Sequence, residues 1–171
     1  MPATLFVKIE GVKDLVGDSV EKNHLDWIVV ESVEFGLERH QSDAEGGVVT
    51  RGFGKAVFND VTFSSELGRH SMKLMLQVAG GKRLPTITIH QCKANEDDAV
   101  ALEPYVIWTL RDTQVSSYNI TSGSEEIPKE NWAVRPSELQ IDYYYPDNKG
   151  KGKLKKENEF KWDIGAGATS K

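Results

Sequence analysis

The 171-residue chain contains one cysteine, Cys92, and no run of about eighteen apolar residues. A lone cysteine closes no intrachain disulfide, so a cystine-stapled secreted scaffold is excluded and folding in a reducing cytosol is expected. Without a long apolar run there is no candidate membrane helix. The opening Met1-Pro2-Ala3-Thr4-Leu5-Phe6-Val7-Lys8-Ile9-Glu10 lacks a basic n-region, and Lys8 and Glu10 interrupt its apolar residues, so no Sec-type signal is expected. Catalytic signatures are missing as well. The four histidines, His24, His40, His70 and His90, have none of the HExxH, HxH or HxxxH spacings, and Cys92 has no CxxC partner. GxSxG is absent, and Gly46-Gly47 and Gly52-Phe53-Gly54 match neither a P-loop nor GxGxxG. No enzyme, metal or cofactor has a motif behind it. With 26 acidic and 21 basic side chains the formal charge is −5, which disfavours nucleic acid and anionic lipid as partners.

What is present is β pattern. A chain of this length hides roughly 70% of its extended surface on folding, enough for one self-sufficient domain spanning 1–171. Thr4 to Ile9 alternates with period two, Leu5, Val7 and Ile9 facing one way. Apolar and β-branched residues return from Leu25 to Leu37; in the second half of that stretch the odd positions are apolar and Ser32, Glu34 and Gly36 are polar or small, so one face is buried and one wet. Further strands are expected at Lys55 to Phe63, Leu84 to Lys93, Leu102 to Ile120 (one long strand, or two joined at Arg111-Asp112), Trp132 to Tyr145 and Phe160 to Ile164. One helix stands out within Ser65 to Ala79. Ser71 is its expected N-cap, Met72, Met75, Leu76 and Ala79 its expected core face, and Gly80-Gly81 its end. The fold class is therefore mainly β, an antiparallel barrel or sandwich with a single helix.

Two segments break the pattern. Residues 39–52, with Arg39, Asp43, Glu45, Gly46, Gly47 and Arg51, read as a long loop or extended hairpin. Lys149 to Lys161 holds six lysines against two glutamates, a local +4 against −9 for the rest of the chain. This lysine-rich connection, 149–159, is either a solvated hairpin guarding an edge strand or a surface that docks on the acidic side of another copy. Residues 165–171 are expected as a flexible tail. The nearest approach to a metal pattern is His24 with Asp26, on alternate residues, where surface or capping polarity is the expected role; His90, on a strand face with Thr88 and Cys92, is expected to be buried and hydrogen-bonded, and a ligand-binding barrel or enzyme would have to use His24, Asp26 or His90.

Several blocks, in order, carry a resemblance. Phe6-Val7-Lys8-Ile9-Glu10-Gly11-Val12-Lys13, Asp18-Ser19, Val33-Glu34-Phe35-Gly36, Asn59-Asp60-Val61-Thr62-Phe63, Gly81-Lys82-Arg83-Leu84-Pro85 with the following strand, Leu110-Arg111-Asp112 with Val115-Ser116-Ser117-Tyr118, and Phe160-Lys161-Trp162-Asp163-Ile164 resemble the haemolysin-coregulated protein (Hcp) family, the tube protein of type VI secretion systems. The resemblance implies a two-sheet β-barrel with a flanking helix that closes with five copies of itself into a hexameric ring. Rings would stack head to tail into a hollow tube, assembled in the cytoplasm inside a contractile sheath, capped by a VgrG spike and secreted with its effectors. A phage-tail-like injection tube shares that architecture. Within it, Ser32 and Glu34 are the candidates for lining the lumen, and the 39–52 loop, through Arg39, Asp43, Glu45, Gly46, Gly47 and Arg51, for reaching into the next ring. A closing ring needs two different complementary edges on each subunit.

Overall fold

A computed structural model describes residues 4–41, 53–94, 102–146 and 154–169. In chain order they form β1 (Thr4–Ile9), β2 (Ile28–Val30), β3 (Ser32–Glu34), β4 (Leu37–Gln41), β5 (Phe53–Phe58), β6 (Val61–Glu66), α1 (Ser71–Gly80), β7 (Arg83–Ala94), β8 (Leu102–Thr121), β9 (Lys129–Pro146), β10 (Leu154–Asp163) and β11 (Ala168–Thr169). Nine strands make one antiparallel sheet in the order β11-β10-β9-β8-β7-β1-β2, with β6 on β9 and β3 on β6. Only Glu31 separates β2 from β3, yet β2 pairs with β1 and β3 with β6, so the chain turns a corner there and nearly closes the sheet into a barrel.

β9 shapes that barrel. One edge pairs with β8 along almost its full length, while the other pairs with β6 through Val134 and with β10 from Glu138 onward. The switch falls at Arg135-Pro136-Ser137. Proline has no N–H to give a ladder, so the handover between two neighbours is a place where it costs little.

The core fills as the alternation requires. Leu5, Val7 and Ile9 of β1 join Ile87 and Ile89 of β7, Leu110 and Val115 of β8, and Trp132, Val134 and Leu139 of β9. Phe63 stacks on Trp132 with ring centroids 4.1 Å apart. β4 and β5 form a separate two-stranded sheet. Phe58 anchors it, lying 6.4 Å from both Phe35 and Trp162, with Trp108 edge-on to Phe35 at 6.0 Å. The described residues thus form a mainly β, antiparallel fold of two sheets, a nearly closed barrel and a small second sheet, with one helix.

Several local expectations need correction. The strand expected at Lys55 to Phe63 is two, parted at Asn59-Asp60 where the chain crosses from the small sheet to the barrel. The strand expected from Leu25 starts at Ile28, because His24 to Trp27 is a turn with Asp26 at φ 62°. Leu102 to Thr121 is one strand, its Asp112 at φ 48° notwithstanding. Of the lysine-rich connection, everything from Leu154 is strand, while 149–153 lie outside the described residues. The tail expected at 165–171 instead turns back, Ala168 and Thr169 pairing with Asp163 and Trp162; 170 and 171 lie outside the described residues.

The helix is rotated from its expected face. Met72 and Leu76 are 55% and 61% exposed, Ala79 is exposed and Met75 only half-buried. Leu74 is fully buried, flanked by Ser71 and Gln77. Ser71 is the first helical residue rather than the cap; its hydroxyl accepts the Gly68 N–H at 2.9 Å, and His70 occupies the cap position. Gly81 ends the helix in the left-handed region, φ 63°, its N–H on the Gln77 carbonyl.

Candidate assembly surface and buried polar clusters

The outer face of the β3-β6-β9-β8 sheet is a polar depression of about 290 Å³. Strand registers build it in rows. Ser32 faces Ser64, Ser64 faces Asn131 and Asn131 faces Asn119; one step on, Glu34 faces Thr62, Thr62 faces Ala133 and Ala133 faces Ser117. Between them runs Val33-Phe63-Trp132-Tyr118, turned into the protein. Because successive side chains point to opposite faces, fixing Phe63 and Trp132 in the core forces both flanking rows outward. Ser32 and Glu34 thus share one surface with Thr62, Ser64, Ser117, Asn119 and Asn131, which single-strand reasoning did not assemble. The signal was available at i±1 from Phe63 and Trp132, but only register joins four strands into one patch.

Arg39 is exposed on β4 and pairs in register with Ala56 of β5, so the strands that flank residues 42–52 run antiparallel side by side. Asp43, Glu45, Gly46, Gly47 and Arg51 lie outside the described residues.

Behind the polar rows sits a buried carboxylate, Glu130, with 0% exposure. Its Oε1 accepts Ser65 Oγ–H at 2.7 Å and the His70 Nε2 proton; its Oε2 accepts the Tyr118 hydroxyl. Trp132 Nε1 donates to Ser65 Oγ at 3.2 Å. Burial alone would raise the Glu130 pKa, but the donors, His70 first, outweigh it and hold the group below the usual glutamate value. Burial, then the bond to Glu130, pushes the Tyr118 phenol well above its ordinary range. The cluster ties the start of α1 to β6, β8 and β9. No substrate-sized opening is required for that role.

The second buried cluster holds two of the three residues on which a catalytic or ligand-binding alternative depends. His24 Nδ1 donates to Glu21 Oε2 at 2.5 Å, and His24 Nε2 meets His90 Nδ1 at 2.9 Å and Cys92 Sγ at 3.7 Å. Phe6 stacks on His24 at 4.3 Å and Trp27 packs against both histidines. Asp26 is not part of it. Its carboxylate turns outward to Arg69 Nη1 at 3.1 Å. Burial, and then the His24 charge, lowers the His90 pKa to about 4, and burial raises the Cys92 thiol to about 12. Among the described residues no group of three or more His, Cys, Asp or Glu side chains is arranged to hold a metal ion. No helix among them is long and apolar enough to cross a membrane.

With this geometry in place, comparison with known proteins is informative. A family model described as "Type VI secretion system effector, Hcp" matches residues 6–143. The chain belongs to the Hcp family. Solved Hcp structures share its fold across nearly the whole length. A type six secretion system protein superposes with TM-score 0.81 at 21% identity, covering 99% of this chain and 100% of that one. Hcp1 from Salmonella typhimurium gives 0.74 at 20%, with 97% of each chain covered. A type VI secretion system effector from Yersinia pestis gives 0.70 at 18%, covering 94% of this chain and 99% of that one. No curated protein matches the sequence. Family and fold agree with the ordered motifs of the sequence, and the Hcp barrel is a tube-protein architecture.

Proposed function

We propose that this Hcp chain is a structural subunit of a type VI secretion inner tube, that six copies close into a ring, and that rings stack into a hollow conduit which carries effectors and is itself secreted. In this reading the polar rows around Ser32 and Glu34 line the lumen, and the 39–52 hairpin, with Arg39 at its base, reaches into the next ring. The spike and the contractile sheath are its other partners, as for the family. It works without catalysis, metal or cofactor.

The supporting observation is the double polar row. A continuous sheet face made of Ser, Thr, Asn, one carboxylate and the small Ala133, without a large apolar side chain in either row, suits many weak contacts with passing cargo rather than one tight site, and six copies multiply such contacts. The injection-tube variant of this architecture would use the same face. The His24 and His90 pair is read as structural, because both His24 nitrogens and His90 Nδ1 are engaged with Glu21 and with one another.

Placement of the lumen can be tested with Ser32→Cys. Cys92 is buried, so it contributes no background reaction. Inside an assembled ring a small maleimide is expected to label position 32 while a long polyethylene-glycol maleimide is excluded, and dissociated subunits should take both. Equal reaction of the bulky reagent with rings and subunits contradicts the lumen assignment.

A further inference from the structure

The depression on the β3-β6-β9-β8 face is built from polar groups that the fold itself does not use. Among the described residues, no hydrogen bond or ion pair engages the side chains of Ser32, Glu34, Ser64, Ser117, Asn119 or Asn131. Thr62 alone is engaged, its hydroxyl donating to the Glu34 carbonyl at 3.5 Å. Five of the six free side chains are hydroxyls or amides, which both donate and accept, whereas the Glu34 carboxylate only accepts. Glu34 is exposed, and its neighbours across and along the strands, Thr62, Ser64 and Ser32, are all shorter, so its carboxylate reaches beyond them.

The cations that border the depression are already committed. Outward residues of β9 run Lys129, Asn131, Ala133, Arg135, which sets the two charged ones at opposite ends of the polar rows. Lys129 bridges Glu31 and Glu66, and Arg135 Nε and Nη2 donate to the two oxygens of Asp60 at 2.9 and 3.2 Å. Acids therefore outnumber bases over the whole face, and Glu34 is the one charged residue lining the depression itself. An anionic group entering there meets an unpaired carboxylate. A cationic group meets a ready acceptor with hydroxyl and amide oxygens around it.

We propose that this face selects cationic cargo: protein segments that present lysine or arginine bind it, Glu34 taking the charge while the serine hydroxyls and the Asn119 and Asn131 amides take neighbouring polar groups. The inference rests on the lumen reading and adds to it the chemical class of the cargo. Around a closed ring the carboxylates of six copies face one concave space, where charge of one sign raises the local concentration of the other. Each contact is exposed and weak, so retention comes from several at once and fades with salt. That suits a conduit, which must also release what it carries.

The test uses the full chain, as rings isolated by size, and two probes: a short peptide repeating Lys-Ser-Gly and its Glu-Ser-Gly counterpart, each with the same neutral fluorophore, read by anisotropy at low and high salt. Rings are expected to bind the lysine peptide and not the glutamate one. Glu34→Gln should weaken that binding by roughly tenfold, as removal of several exposed ion pairs at once implies. Glu10→Gln removes the same charge from an exposed position just beyond β1, outside the depression, and should leave the binding unchanged. Rings that do not prefer the lysine peptide overturn the cation selectivity, and the parent protein decides this even if a variant fails to assemble. So does binding that survives Glu34→Gln at the parent's strength, or that falls as far with Glu10→Gln; the tube reading stands in each case. Position 32 open to the bulky maleimide in the same rings overturns the lumen reading, a single-chain mass at every concentration overturns the tube reading, and either removes this inference with it.

Discussion

Glu130 shows how one side chain can hold four elements in place. A buried carboxylate is tolerated only when its lone pairs are filled, and Ser65, His70 and Tyr118 fill them. Tyr118→Phe leaves Oε2 bare and is expected to cost about 1–3 kcal/mol in denaturant unfolding at neutral pH. Glu130→Gln, which offers His70 or Tyr118 an N–H where it needs an acceptor, is expected to cost more, roughly 3–5 kcal/mol. The sign of the pH dependence follows from the depressed pKa. The stabilising share of Glu130 is complete above the ordinary glutamate value of 4.5 and is lost as pH falls through the lower native value. His90 acts in the same direction over a higher window. Its pKa falls from 6.5 to about 4 on folding, so its contribution is complete above 6.5 and declines between there and 4. Imidazole NMR should find a midpoint near 4 for His90; a midpoint near 6.5 would mean the ring is not buried against His24.

At the scale of elements the helix is the most instructive case. Met72, Met75, Leu76 and Ala79 have helical spacing and outnumber the apolar residues of the other stripe, Leu74 and Val78, yet the helix lays Leu74 against the barrel. Polar residues decide the rotation. Ser71 must reach the Gly68 N–H and His70 must reach Glu130, and these two bonds fix the phase of the first turn before apolar count matters. Leu74→Ala should cost roughly 2–5 kcal/mol, whereas Met72→Ala and Leu76→Ala should stay within about 0.5 kcal/mol for the isolated chain, all by chemical denaturation. Strands were more legible. Alternation in β1 named the right inward residues, Leu5, Val7 and Ile9, because one buried face per strand is a local property. Corners were not. The breaks at Glu31 and Asn59-Asp60 depend on which distant strand is free to pair, and the polar rows on the sheet exist only in the register of four strands. Ser32 and Glu34 could be read from alternation; Asn119 and Asn131 could not be joined to them.

For the whole molecule the question is what the barrel does with surfaces it cannot cover alone. Exposed Leu37 and Val57 on the small sheet and Met72 and Leu76 on the helix are apolar residues that a ring could bury. Shortening the segment from Asp43 to Val49 is expected to leave single rings intact while reducing stacking and secretion, as seen by negative stain and export assays; rings that stack as before would remove that segment from the axial contact. Charge fits the same scheme, since −5 is the sum of a +4 stretch and a −9 remainder, an imbalance that favours one orientation between copies and weakens with salt.

The central claim is that this chain is a ring-forming tube subunit, and the mass of the purified protein tests it most directly. Light scattering on a sizing column, with negative-stain images of the same fraction, should give six times 19.1 kDa and a ring with an open centre. A mass of 19.1 kDa across a wide concentration range, with no rings on the grid, would contradict it.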